Sequence, residues 1–157
     1  MRYFKLGQDT RMPNGVLLTD INSIHGYFEY RKCNAFALES FFVSIVHSSP
    51  VNYYPDILDR QIFMVKGAVK DVMNVLVPDM EYKHCCLVDD ANDVFERYHV
   101  PMLPTMDVQE GVADALPIFR VADESKLDVL ASLEFVEALL RRKPKGCRMV
   151  QWPTYPM

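Results

Sequence analysis

Two stretches of the chain follow one plan at one spacing: an apolar strand, an amphipathic helix, a proline and a second apolar strand. The first copy runs over Ile62–Val88 and the second over Val129–Trp152. Laid on one another, Val69, Val72, Met73 and Pro78 fall on Phe135, Ala138, Leu139 and Pro144, so the apolar helix face and the stop signal coincide. In the first copy Val69, Val72, Met73 and Leu76 recur at i, i+3, i+4 and i+7, the stripe of a helix lying on a sheet, and Pro78 ends it. The repeat is architectural. Neither copy holds a nucleophile with its base, a metal cage or a phosphate loop, so function has to be sought in resemblance and surface.

The remaining punctuation supports an α+β domain spanning residues 1–157: a mostly antiparallel β-sheet built from hairpins, with two amphipathic helices packed on it. Arg2–Leu6 alternates as a strand and Met12-Pro13-Asn14-Gly15 is turn chemistry before the apolar Val16–Leu18. The stretch Asp20–Asn34 has no clean period and reads as loop with a strand over Tyr27–Tyr30. Phe41–Val46 reads as a strand, being aromatic, β-branched, short and closed by Ser48-Ser49-Pro50. The spacing predicts a strand over Ile62–Val65, a helix over Lys66–Val77 and strands over Tyr82–Val88 and Val94–Val100 around the loop Asp89–Asp93. An irregular crossing follows from Pro101 to Gly111. Strands at Ile118–Val121 and Leu127–Ala131 flank Asp123-Glu124-Ser125 as a further hairpin. Ser132 is placed as an N-cap, Glu134 and the Arg141-Arg142-Lys143 run match the helix dipole, Gly146 is a stop, Cys147–Trp152 closes as a strand, and Pro153–Met157 extends beyond it.

At 157 residues the chain suits a single core burying about 68–70% of its unfolded surface. Its longest apolar runs, such as Phe41–Val46, are far shorter than a bilayer span. The start Met1-Arg2-Tyr3-Phe4-Lys5 lacks a secretory apolar stretch, and the four cysteines Cys33, Cys85, Cys86 and Cys147 show no CxxC spacing. Both features point to a cytoplasmic protein with reduced thiols. A formal charge of −4 speaks against nucleic acid, which wants clustered surplus Lys and Arg, and leaves room for a basic protein partner.

Candidate chemistry is sparse. His84 and Cys86 share one face of their strand, but two ligands make no zinc site, and a third would have to come from Cys33, Cys147 or His99. No metal or other cofactor is expected. A cysteine-dependent hydrolase using Cys85 or Cys86 with His99 across the hairpin is the rival enzyme reading; strand cysteines are more often core fillers. Asp89, Asp90 and Asp93 lack the glycine and distal glutamate of a calcium loop, and read as a solvated tip or a docking patch for a basic partner. Arg141, Arg142, Lys143, Lys145 and Arg148 suit a helix C-terminus. Tyr53, Tyr54, Trp152 and Tyr155 stand beside prolines, where aromatics anchor interfaces, although a tryptophan on the last strand equally plugs a core. His25 and His47 stand alone.

Taken in order, several strings resemble one bacterial family. They are Tyr3-Phe4-Lys5-Leu6 with Asp9, Arg11, Met12, Pro13 and Asn14, then Pro55-Asp56-Ile57-Leu58 ahead of Ile62-Phe63-Met64-Val65, and Lys70-Asp71-Val72-Met73. The second half adds Ile118-Phe119-Arg120, Leu127–Ser132, the helix Phe135–Arg142 and Gly146. The resemblance runs from Tyr3 to Trp152, and the family is that of immunity proteins accompanying bacterial polymorphic toxins, first catalogued as a domain of unknown function. It implies a small cytoplasmic antidote that binds a cognate toxin domain and blocks it stoichiometrically. It carries over no catalytic residue: Phe119, Ser132 and Gly146 look like core, cap and turn. The compact stretch between Asp107 and Leu116 and the proline-aromatic tail depart from the family pattern and leave the contact surface open. Within this reading Asp89, Asp90 and Asp93 form the candidate contact, with Tyr53 and Tyr54 as anchors. A scaffold or homo-oligomer without a toxin partner is the remaining alternative.

Overall fold

The computed structural model describes residues 2–18, 41–60, 62–106, 116–121 and 128–152. In chain order these form β1 (Tyr3–Gln8), β2 (Phe41–Ile45), β3 (Ile57–Leu58), β4 (Met64–Val65), α1 (Ala68–Leu76), β5 (Tyr82–Asp89), β6 (Val94–Pro101), β7 (Thr105–Met106), β8 (Ile118–Val121), β9 (Val129–Ser132), α2 (Leu133–Arg141) and β10 (Cys147–Gln151). The class is α+β, and the ladders are mostly antiparallel; among the described residues only β2/β5 and β7/β8 run parallel.

The strands divide into two five-stranded sheets where the sequence suggested one. Their orders are β10-β1-β9-β8-β7 and β2-β5-β6-β4-β3. The two copies of the repeat explain the division. In the first, β4 and β5 lie on either side of β6, each antiparallel to it, and α1 makes the crossover between them. In the second, β9 and β10 lie on either side of β1, each antiparallel to it, and α2 makes the crossover. Each unit is thus a split β-α-β motif. The middle strand of the first unit follows directly in sequence, whereas that of the second comes from the opposite end of the chain.

Several elements differ in detail from the sequence reading. The helix expected over Lys66–Val77 is shorter, because Gly67 takes φ 57° and begins it without a side-chain cap. Val77, which precedes Pro78, closes it in a non-helical conformation, as a residue before proline tends to do. β3, which lay between the predicted elements, pairs with β4, and β7 lies inside the stretch read as an irregular crossing. Both are two residues long, too short for a period to register. Ser132 does cap α2, accepting the Phe135 N–H at 3.2 Å, and Arg142 returns a guanidinium hydrogen bond to the Ala138 carbonyl at 3.1 Å. The expected strand over Tyr27–Tyr30, the Asp123–Ser125 turn and the tail from Pro153 lie outside the described residues.

Both helices drain into one core. Val69, Val72 and Met73 of α1 and Phe135, Val136 and Leu139 of α2 pack with Leu6 of β1, Val65 of β4, and Val129 and Ala131 of β9. Each such side chain contributes roughly 1.5–3 kcal/mol by leaving water. The other face of the β2–β6 sheet carries a second cluster around Cys85, Leu87, Tyr98 and Val100, and Tyr3, Phe119 and Leu130 form a third behind β1. Asp56 ties the repeats together: its N–H donates to the Lys145 carbonyl at 2.7 Å, its carboxylate accepts the Lys145 N–H at 2.9 Å, and its carbonyl accepts the Lys66 N–H at 2.9 Å. Gly146 belongs to this junction. It takes φ 68°, and a Cβ there would run into Pro55 and come within 2.8 Å of Tyr53 Cε1.

Candidate partner-binding surface

The three aspartates at the β5–β6 tip divide into one buried organiser and two exposed charges. Asp89 ends β5 on its inward face and is buried. Its carboxylate accepts from Ser48 Oγ at 2.6 Å, from Asn92 Nδ2 at 2.8 Å and N at 3.3 Å, and from Asn52 Nδ2 at 3.3 Å. These bonds, chiefly those from Asn92 and Ser48, hold its carboxyl below the usual carboxylate range. They also fasten the segment after β2 to the hairpin, so the tip has a fixed shape. Asp90 and Asp93 project from that shape into solvent, with Asp93 in the left-handed region at φ 54° and its N–H on the Asp90 carbonyl at 3.3 Å.

The two tyrosines part company. Tyr54 is half-buried against the cluster around Leu87 and Tyr98, with Lys66 Nζ 5.8 Å from its ring centre. Burial, and then the charges of Asp89 and Glu96, push its phenol up. Tyr53 is held through its backbone by Asn14 and Val16, at 2.7 and 3.0 Å, and its ring lies against Gly146. Its phenol is raised by burial and then by Asp56, at the junction of the repeats and away from the tip. The geometry therefore keeps Asp90 and Asp93 together at the tip above Asp89, sets Tyr54 against the cluster behind the sheet, and leaves Tyr53 in the framework.

A second feature was not foreseen. On the face of the sheet that α1 only partly covers, the registers stack nine side chains in three rows: Phe41–His84–His99, Val43–Cys86–Arg97 and Ile45–Val88–Phe95. Phe41, Val43, Ile45 and Phe95 are 49%, 53%, 53% and 62% exposed. Contiguous apolar exposure on a strand face is a mark of an interaction surface. Its signal lies in β2, where Phe41, Val43 and Ile45 alternate with Phe42, Ser44 and Val46. The outward side of that strand is wholly apolar, while the inward side carries the buried polar Ser44 between Phe42 and Val46, and only Phe42 and Val46 join the core.

At one end of this face His84 and His99 meet, Nδ1 to Nδ1 at 2.6 Å with rings 89° apart. One ring must donate and the other accept, so the pair is not doubly protonated. Burial, and then Lys70, His84 and Arg97, drive His99 down to about 4, and His84 is lowered by burial and by Lys70 and Arg97. Lys70 reaches in from α1, its Nζ 5.2 Å from the Tyr82 ring centre.

The thiols do not assemble with this pair. Cys85 is buried in the core behind the sheet, opposite Tyr98 in register, and so faces away from His99. Cys86 is on the His side but one row along, opposite Arg97, and its recorded contact is the Leu87 carbonyl at 4.0 Å. Cys147 is pushed up to about 12, first by burial and then by Asp56. Among the described residues no three His, Cys, Asp or Glu side chains converge as metal ligands, and no helix is long and apolar enough to cross a membrane. Trp152 packs with Tyr3 and Phe119, as a core plug does; Cys33, His25 and Tyr155 lie outside the described residues. Compared with the models of known protein families and with curated protein sequences, the chain matches none.

Proposed function

We propose that this chain is an immunity-type binding protein that neutralises a cognate bacterial toxin domain by stoichiometric contact in the cytoplasm. The observation that supports this most directly is the β5–β6 tip. Two exposed carboxylates, Asp90 and Asp93, stand on a hairpin fastened by the buried Asp89 network. A preorganised charged tip loses little conformational freedom on binding and steers a basic partner during encounter. The sequence resemblance supplies the class of partner. The mild negative charge of the whole chain agrees with a basic toxin surface.

The test is to seek a toxin module encoded beside this gene and to measure association kinetics with it. Replacing Asp90 and Asp93 by Ser, with Asp89 kept because it holds the loop together, slows association at low salt by roughly tenfold or more. An unchanged rate removes the tip from the contact, and absence of any complex with that module rejects the reading.

A further inference from the structure

The acidic tip does not account for the apolar face behind it. That face presents Phe41, Val43, Ile45 and Phe95 from regular strands, where side chains are fixed by register, so the exposure is built into the sheet. Its charges are segregated. Asp90 and Asp93 stand at one end; Lys70, Arg97 and the His84–His99 pair stand towards the other, and neither Lys70 nor Arg97 has a carboxylate partner among the described residues.

We infer that this face is closed by a second copy of the chain, packed so that the acidic tip of each copy meets the cationic end of the other. Symmetry selects this arrangement. In a twofold dimer of packed sheets the axis lies in the interface. An axis along the strands sets tip on tip and repels, whereas an axis across the strands reverses their direction and sets each tip over Lys70 and the histidines of the other copy. With that axis passing between the levels of Phe95 and Arg97, each guanidinium lies over the partner's Phe95, a favourable cation–aromatic contact. Asp93 then falls at the level of the partner's His99, since both are the same number of residues from the axis along β6.

The size of the face sets the strength. Three strands about 4.8 Å apart and five residues at about 3.4 Å each give a footprint of roughly 10 by 17 Å. That is well below the roughly 800 Å² per partner of a tight complex, so a weak, concentration-dependent dimer is expected. This inference goes beyond the toxin-binding reading and stands without it. The two share the tip, so a tightly held toxin would displace the second copy.

Sedimentation equilibrium of the full chain, from low to high micromolar concentration and at low and high salt, tests it. A concentration-dependent dimer weakened by salt is expected. Phe95→Asp, at an exposed site, weakens it roughly tenfold or more, and Phe95→Ser does the same without adding charge. Lys70→Glu and Asp90→Lys each weaken it alone, and an equimolar mixture of these two variants recovers a heterodimer, because each altered end then faces its opposite. A chain that stays monomeric throughout, a dimer indifferent to both Phe95 variants, or a mixture that recovers nothing would overturn the inference.

Discussion

Asp89 and Asp90 are adjacent carboxylates with opposite fates. The alternation of β5 turns Asp89 inward onto Ser48, Asn52 and Asn92, while Asp90 begins the turn and stays in water. The composition of the loop announced a charged tip, but which aspartate would be consumed by the structure depended on Ser48 and Asn52, about forty positions away in sequence. The cysteines and histidines divide in the same way. Cys85 is sealed in the core and Cys147 carries a thiol raised to about 12, so iodoacetamide at neutral pH should modify Cys86 well before either of them. Peptide mapping of the alkylated native protein checks the order, and rapid labelling of Cys85 would contradict its placement. His99 sits at about 4 in the folded protein against an ordinary 6.5. Between those values the unfolded chain binds more protons, so the stability this pair provides is complete above about 6.5 and falls as pH drops towards 4. Urea midpoints measured across that window should fall for the natural chain and fall less for a His84→Gln/His99→Gln variant; equal slopes would remove the pair as the cause.

At the scale of elements, the two helices share a role but differ in how they are secured. α2 has its serine cap, an acidic residue in the first turn and a basic one in the last, whereas α1 begins at a left-handed glycine with no side-chain cap. The α2 cap and its charges were legible in the sequence, because they are local, whereas the left-handed start of α1 at Gly67 was read as part of the helix. Ser132→Ala should cost about 1 kcal/mol through the lost cap, and Phe135→Ala about 3–5 kcal/mol through the cavity it leaves between α2 and both sheets. Chemical denaturation reads both, and a Phe135→Ala loss no larger than that of Ser132→Ala would contradict the shared core. The partners of the strands were less legible. β3 and β7 leave no periodic trace, and in β2 the polar Ser44 lies on the buried side while the exposed side is wholly apolar, the reverse of the usual alternation.

For the whole molecule, the decisive fact is one that no local pattern encodes. The second repeat is completed by β1, which precedes β9 by more than a hundred residues, so the duplicated strand–helix–strand plan was visible in the sequence while the strand that unites each copy was not. The result is a two-sheet frame with a charged tip and an apolar sheet face at its surface. The most direct test of the proposal that the chain acts by occupying another molecule is growth of cells expressing a toxin module found beside its gene together with this chain. Growth should be restored by the natural chain and equally by a Cys85→Ser/Cys86→Ser variant, and weakened when Asp90 and Asp93 are both replaced by Ser. Rescue that requires either thiol, or no rescue by the natural chain, would contradict it.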